Sequence, residues 1–259
     1  STVARPDPMR NVVRDYVRYP LEVVAAVVGY GLFAALPMDW ASALGGWIGR
    51  SLGPKFAIHR RALHHIGLAL PETDAERREE IASEMWDNLG RILGEYPHIR
   101  KIARDAGAGG RVEVVGADNL EPVRDPSTPA ILYSGHLANW EVFGGIVNAC
   151  GINYTQVYRA PNNPFVRGLV LRLRRLPADR QIPKGAQGAR MAIDVLKQGG
   201  EVGMLVDQKM NDGIAVPFFG RDAMTAPALA QLGLKFDCVV VPVRLERTKG
   251  CRFRITFLP

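Results

Sequence analysis

A histidine and a carboxylate lie close together in the segment AILYSGHLANWEVFGG, residues 130–145. His136 stands five residues before Glu141. A histidine that contacts a carboxylate can take a proton from a hydroxyl, while the carboxylate fixes the ring tautomer and stabilises the imidazolium. This is the chemistry of acyl transfer to an alcohol, with His136 as general base and Glu141 as its partner. The spacing by itself is weak evidence, so the elements around the pair have to support the assignment.

The sequence predicts a strand before this pair and a helix after it. Residues 130–133 form a buried β-rich run, Ser134 and Gly135 favour a turn, and Asn139 can begin a helix. Residues five apart within one helix point about 140° apart, so His136 reaches Glu141 only from a loop that precedes the helix. The strand, turn and helix pattern predicts that loop.

The wider pattern predicts an α/β fold. Residues 56–98 are predicted to be helical, with Thr73 and Glu76 as a capping box. After the glycine-rich segment 106–110, β-rich runs alternate with helical stretches, and the predicted strands are 112–115, 130–133, 154–158, 202–206 and 238–243. This alternation predicts a mixed, largely parallel sheet flanked by helices, with the catalytic groups at strand ends.

The N-terminal region is apolar and flanked by basic residues. Residues 23–37 carry no charge, yet a membrane-spanning helix usually needs about 20 apolar residues. A second apolar run, 41–48, follows, with Trp40 and Trp47 in the same region. Such helices are typical of an anionic membrane interface. The alternative is a buried pair of core helices.

Composition limits the remaining possibilities. The chain of 259 residues is 47% apolar, which is enough for one sizeable core, so we divide it into a membrane-associated helical segment, 1–55, and a catalytic domain, 56–259. The net charge of +7 favours anionic partners. Three cysteines without metal-ligand spacing argue against disulfides and favour a reducing compartment. The histidines outside the pair, His59, His64, His65 and His98, are interpreted as surface or interface residues rather than zinc ligands.

Four sequence blocks carry a family resemblance. GHLANWE, residues 135–141, resembles the H-x4-D/E motif of glycerolipid acyltransferases, and its ending resembles the lipid A late acyltransferase branch. Three further blocks occur in the family's order: YRAPNNP at 158–164, IPKGAQGAR at 182–190 and VDQKMNDGIAVPFFGRDAMTAPALA at 206–230. With HRRALHHIGLALPE at 59–72, the chain resembles the lauroyl and myristoyl acyltransferases of lipid A biosynthesis over nearly its whole length.

The resemblance implies a reaction and its setting. A fatty acyl group would pass from acyl carrier protein to a hydroxyl of a lipid A precursor at the cytoplasmic face of the inner membrane, among its phospholipids. His136 would be the general base and Glu141 its partner. The hydroxyl would attack the thioester directly, so the resemblance implies no acyl-enzyme, no metal and no cofactor besides the acyl donor.

Several other residues are candidates for substrate binding. Arg159 can bind a phosphate or the charge that develops on the thioester oxygen, or it can form a structural salt bridge. Asn163 is expected to shape the turn that follows. Lys184 can bind a phosphate or a carboxylate, or remain a solvated turn residue. Ala160 and Lys209 depart from residues common in the family, so finer contacts are not transferred.

Two later segments leave alternatives open. Asp207 and Gln208 end a hydrophobic strand, where a buried polar pair lines a site or anchors a loop. Phe218, within 216–219, forms either a wall of an acyl pocket or plain core. Residues 163–176 predict a basic amphipathic helix that binds either the acidic acyl carrier protein or lipid phosphates.

Two competing functions remain at this point. An acyltransferase for another glycolipid or for glycerol phosphate would use the same pair of residues. A non-catalytic lipid-binding module would explain the charge and the apolar helices, but not the histidine and carboxylate at a strand end. Nucleic-acid binding is disfavoured because the sequence lacks a basic helix with stacking aromatics.

Overall fold

The computed structural model describes residues 8–107, 109–158, 163, 180–183 and 185–259. Its strands, in chain order, are β1 (Val112–Val115), β2 (Ala130–Ser134), β3 (Thr155–Tyr158), β4 (Arg180–Pro183), β5 (Glu201–Leu205), β6 (Ile214–Phe218), β7 (Arg221–Thr225), β8 (Val239–Lys249) and β9 (Arg252–Phe257). Within the described residues, seven of these strands form one sheet in the order β1-β9-β8-β2-β5-β3-β4. Neighbouring strands are parallel except β8 and β9, which are antiparallel. The prediction of a mixed, largely parallel sheet is confirmed.

Helices precede this sheet and alternate with its strands. They are α1 (Pro8–Ala35), α2 (Met38–Leu52), α3 (Ile58–Ala69), α4 (Ala75–Glu95), α5 (Ile99–Arg104), α6 (Phe143–Ala149), α7 (Ala186–Lys197) and α8 (Ala228–Phe236). The residue that caps α4 is Asp74, one position after the predicted Thr73. Asp74 caps α4 by accepting a hydrogen bond from the backbone N–H of Arg77, because a carboxylate in that position satisfies a free donor of the first turn.

The larger hydrophobic core lies between the sheet and the helices that follow and precede its central strands. Its fully buried side chains include Leu132 on β2, Phe143 and Ile146 on α6, and Phe253 on β9. Strand β8 extends to Lys249, well beyond the predicted 238–243, because its antiparallel pairing with β9 continues past the core. The burial of β2 fixes the strand that leads into the predicted catalytic loop.

Helices α2 and α4 approach each other through glycines. A Cβ added to Gly45 or Gly49 of α2 would collide with the backbone of α4, and one added to Gly90 or Gly94 would collide with the backbone of α2. Small residues at a helix contact let the two backbones come close, which is why this pair packs without large side chains between the axes. The contact secures α4 against the N-terminal region.

The N-terminal helices α1 and α2 each have a face with exposed apolar side chains. Exposed apolar residues on α1 include Leu21, Val24, Val27, Val28 and Leu32, and those on α2 include Trp40, Leu44 and Trp47. The alternative of a fully buried helix pair is therefore wrong for these faces. Among the described residues, none of the helices has the length and apolar character needed to cross a membrane.

Strands β6 and β7 form an antiparallel hairpin outside the main sheet. At its turn, Phe218 and Phe219 stack edge to face with ring centroids 4.7 Å apart, and both rings are largely exposed. The alternative that this aromatic pair belongs to the core is wrong, because the hairpin projects it away from the sheet. Its part in an acyl pocket stays a prediction.

Candidate active site

Two adjacent parallel strands bring His136 and Asp207 together. In the register of β2 and β5, Ser134 pairs with Leu205, and the backbone N–H of Val206 donates to the Ser134 carbonyl at 3.0 Å. His136 and Asp207 each lie two residues beyond these paired positions. Because parallel strands end at the same edge of a sheet, equal offsets place the two side chains side by side.

Asp207 contacts His136 through both carboxylate oxygens. Oδ1 lies 2.7 Å from the ring Nδ1, and Oδ2 accepts from the backbone N–H of His136 at 2.8 Å. A carboxylate accepts hydrogen bonds without donating, so Nδ1 carries a proton, and in the neutral imidazole Nε2 then presents its lone pair. Gly135 leaves room for this approach, because a Cβ there would lie 3.2 Å from Oδ2. The arrangement selects the tautomer that a general base needs.

The Nε2 side of the ring is partly open. The side chain of His136 is 28% exposed and that of Asp207 45% exposed. The amide nitrogen of Gln208 lies 3.3 Å from Nε2 and can donate to its lone pair. Trp140 packs edge to face on the imidazole, with ring centroids 5.0 Å apart. A substrate hydroxyl can therefore reach Nε2 by displacing the Gln208 amide.

The expectation that Asp207 and Gln208 are buried was wrong. Both are exposed, because they lie beyond the end of β5 and contact an imidazole at the surface. The alternative in which such a polar pair lines a site agrees with these contacts. Their closeness to His136 followed from strand order and register, which residue spacing along the chain does not contain.

Glu141 lies on the same loop as His136, in the short 3-10 turn that precedes α6. Asn139 caps a 3-10 turn, Trp140–Val142, by accepting from the backbone N–H of Glu141 at 3.1 Å. The indole N–H of Trp140 lies 3.2 Å from Oε1 of Glu141, so this carboxylate orients the ring that packs against His136. The turn leads directly into α6, as the sequence predicted for a helix beginning at Asn139. A direct catalytic role for Glu141 stays a prediction.

A comparison with known families gives this geometry its chemical context. The family model of the bacterial lipid A biosynthesis acyltransferases matches residues 11–259. The chain belongs to this family. The resemblance inferred from the sequence blocks is thus confirmed, and acyl transfer is the chemistry of the family. A search of the curated proteins found no match.

Of the other residues predicted to bind substrate, Asn163 contacts the N-terminal helix α1. Asn163 is buried against α1, and its amide donates to the Tyr19 carbonyl at 3.1 Å and to the Glu22 carboxylate at 3.0 Å. That hydrogen bond is the main reason that the pKa of Glu22 is lowered. Arg159, Lys184 and the predicted basic helix after Asn163 lie outside the described residues.

His59 and the three cysteines contribute to the structure away from the candidate site. His59 is buried rather than on the surface, because its Nδ1 accepts from the Trp86 indole at 3.2 Å and its Nε2 lies 3.1 Å from Glu79. All three cysteines are free, as the sequence predicted. Burial, and then the charge of Glu95, raises the pKa of the Cys251 thiol to about 12. Such a thiol stays protonated at neutral pH and is a poor nucleophile.

Proposed function

We propose that this protein transfers a fatty acyl group from acyl carrier protein to a hydroxyl of a lipid A precursor, at the cytoplasmic face of the inner membrane. The observation that carries the proposal is the contact between Asp207 and His136, which leaves Nε2 as a proton acceptor at an accessible strand edge. Family membership supports acyl transfer as the chemistry of this pair. The donor, the acceptor and the location are parts of the proposal.

The proposed reaction uses His136 twice. Nε2 removes the proton of the acceptor hydroxyl as its oxygen attacks the carbonyl carbon of the thioester. The Asp207 carboxylate stabilises the resulting imidazolium through Nδ1. The tetrahedral intermediate then collapses, the carbon–sulfur bond breaks, and the imidazolium returns the proton to the departing thiolate. The products are an ester and the free thiol of the carrier protein.

In this proposal Glu141 supports His136 either through Trp140 or by direct contact with the imidazole. Its carboxylate holds the Trp140 indole, and the indole packs against the imidazole of His136. The sequence predicts that Glu141 is also the carboxylate partner of the base. Asp207 occupies the Nδ1 side of the ring in the structure, so two carboxylates are candidates for that role and substitution has to separate them.

The exposed apolar faces of α1 and α2 support a membrane surface as the place of reaction. Trp40 is 71% exposed and Trp47 59% exposed, and both lie on α2. Contiguous apolar surface of this kind is rare on monomeric soluble proteins and is typical of interfacial helices. A lipid acceptor in the same membrane would then reach the site without leaving the interface.

A defined assay tests the proposal. Purified full-length protein is incubated with acylated carrier protein and a lipid A precursor, and mass spectrometry follows the acyl chain into the product. We expect turnover by the wild type and a loss of about a hundredfold or more for His136→Ala, because a general base is removed. Glycerol phosphate as a parallel acceptor tests the nearest competing activity. Membrane binding without turnover on either acceptor would instead favour a lipid-binding module.

A further inference from the structure

The loop that carries His136 contains a strained residue. Ala138 has a φ of 45°, in the left-handed region that a side chain with a Cβ disfavours. Its carbonyl oxygen accepts a hydrogen bond of 2.8 Å from the side-chain amide of Asn88, in the middle of α4. A conformation of this kind persists only where its surroundings hold it, and Asn88 supplies a holding contact.

A second contact from α4 reaches the same loop one residue later. Oε2 of Glu95 accepts from the side-chain amide of Asn139 at 2.7 Å, and both side chains are buried. Because the Asn139 nitrogen faces Glu95, its oxygen faces the backbone N–H of Glu141. Glu95 thus fixes the orientation of the amide that starts the turn leading to Glu141 and α6.

Arg247, on β8, joins these two contacts. Its Nε donates to Oδ1 of Asn88 at 3.2 Å, and its terminal nitrogens bind both carboxylate oxygens of Glu95. The guanidinium also lies over the Phe253 ring at 4.8 Å. Glu95 is fully buried, and Ser42 donates to it at 2.6 Å, so its charge is compensated by several partners. A buried ion pair with this many hydrogen bonds has one favoured geometry.

We propose that Asn88, Glu95 and Arg247 are positioning residues that hold the loop 136–141 in its catalytic conformation. The proposal rests on the proposed function, because the loop carries the general base. Asn88 touches the backbone of the loop and Glu95 touches its cap, whereas Arg247 acts through these two residues. The reacting atoms are left to His136. The three residues connect α4 and β8 to the loop, so the packing of α4 sets the position of His136.

The variant Asn88→Asp tests the first contact with little change in size. The carboxylate still accepts from Arg247 but cannot donate to the Ala138 carbonyl. We expect kcat to fall by about tenfold or more, because a small misplacement of a catalytic group is costly, while KM for the acyl donor stays close to that of the wild type. Asp87→Asn is the matched control, because Asp87 is the preceding residue of α4 and pairs with Arg50 and Arg91.

A double-mutant cycle with Ala138→Gly separates positioning from general destabilisation. Glycine adopts a positive φ without the penalty of a Cβ, so the loop needs less support. We expect Asn88→Asp to lower kcat less in the Ala138→Gly background than in the wild type, which is a coupling that an unrelated structural defect would not produce. Additive effects in the cycle would overturn the proposal.

Hydrogen exchange provides a readout that does not depend on turnover. The backbone N–H of His136 is bonded to Asp207, so it reports on the loop directly. We expect Asn88→Asp to accelerate exchange in the peptide covering 136–141, and Asp87→Asn to leave it unchanged. If the wild type fails to transfer acyl groups, the proposed function fails while this measurement still decides on the loop. Wild-type exchange in that peptide, or accelerated exchange with wild-type kcat, would refute the positioning role.

Discussion

The carboxylate of Asp207 binds both the ring Nδ1 and the backbone N–H of His136, at 2.7 and 2.8 Å. The two residues are 71 positions apart in the chain, and the parallel pairing of β2 with β5 brings them together. Two donors of one residue thus occupy the two oxygens of one carboxylate. The side chain of His136 cannot rotate about this contact without losing a charge-assisted hydrogen bond.

Asp207→Asn should lower turnover by about a hundredfold or more while the fold is retained. An asparagine has one acceptor oxygen, so it must turn its NH2 toward either the backbone N–H or the ring Nδ1. The first clashes with a donor, and the second favours the wrong imidazole tautomer. Steady-state kinetics with acylated carrier protein, together with the circular dichroism of the folded variant, measures the effect. Turnover within about twofold of wild type would exclude Asp207 as the partner of the base.

Glu141→Ala should also lower turnover by about a hundredfold or more, if Glu141 assists His136 as the sequence motif predicts. The variant removes the carboxylate that accepts from the Trp140 indole, whose ring packs against the imidazole. Trp140→Phe is the control, because it removes the indole N–H but keeps an aromatic ring against His136. A large loss for Glu141→Ala with a small loss for Trp140→Phe would assign the effect to the charge. Equal losses would mean that Glu141 acts by orienting the indole.

The sequence predicted the class of fold and the loop of His136 because both are local patterns. The hydrophobic periodicity predicted alternating strands and helices, and Asn139 predicted the start of a helical segment after His136. The pairing of His136 with Asp207 was not predicted, because it depends on which strands are neighbours and in what register. Strand β2 lies between β8 and β5 in the sheet, and the spacing of residues along the chain does not reveal this order. For the same reason, the contacts of Asn88 and Glu95 with the loop were invisible before the fold was known.

Gly90→Ala should destabilise the protein by about 1–3 kcal/mol, in the range expected when extra volume enters a tightly packed contact. The new Cβ would collide with the carbonyl oxygen of Gly45, which is backbone and cannot turn away. Thermal unfolding should show a Tm several degrees lower. Gly29→Ala on α1 is the matched control, because nothing lies within 4 Å of its Cβ position and alanine favours a helix. A Tm unchanged in both variants would show that α2 and α4 separate easily.

Replacing both exposed tryptophans of α2, as Trp40→Ser with Trp47→Ser, should weaken binding to anionic vesicles by about tenfold or more. Each indole removes apolar surface from water when it enters the interface, and neither contributes to the core. Cosedimentation with liposomes measures the partition coefficient. Leu234→Ser is the control, because Leu234 is 86% exposed on α8 and tests whether any exposed apolar residue has the same effect. Equal losses would place the membrane contact elsewhere or spread it over the surface.

Charge reversal at Arg174 and Arg175 should raise KM for acylated carrier protein, with the increase growing as salt is added. These two arginines lie outside the described residues. They belong to the segment 163–176, whose sequence predicts a basic face opposite Phe165, Leu169, Leu173 and Leu176. Acyl carrier proteins are acidic, so a basic face on this segment would steer them by electrostatic attraction, which salt weakens. KM for the lipid acceptor should barely change. If only the acceptor KM or vesicle binding responds, the segment binds lipid phosphates and the donor docks on another surface.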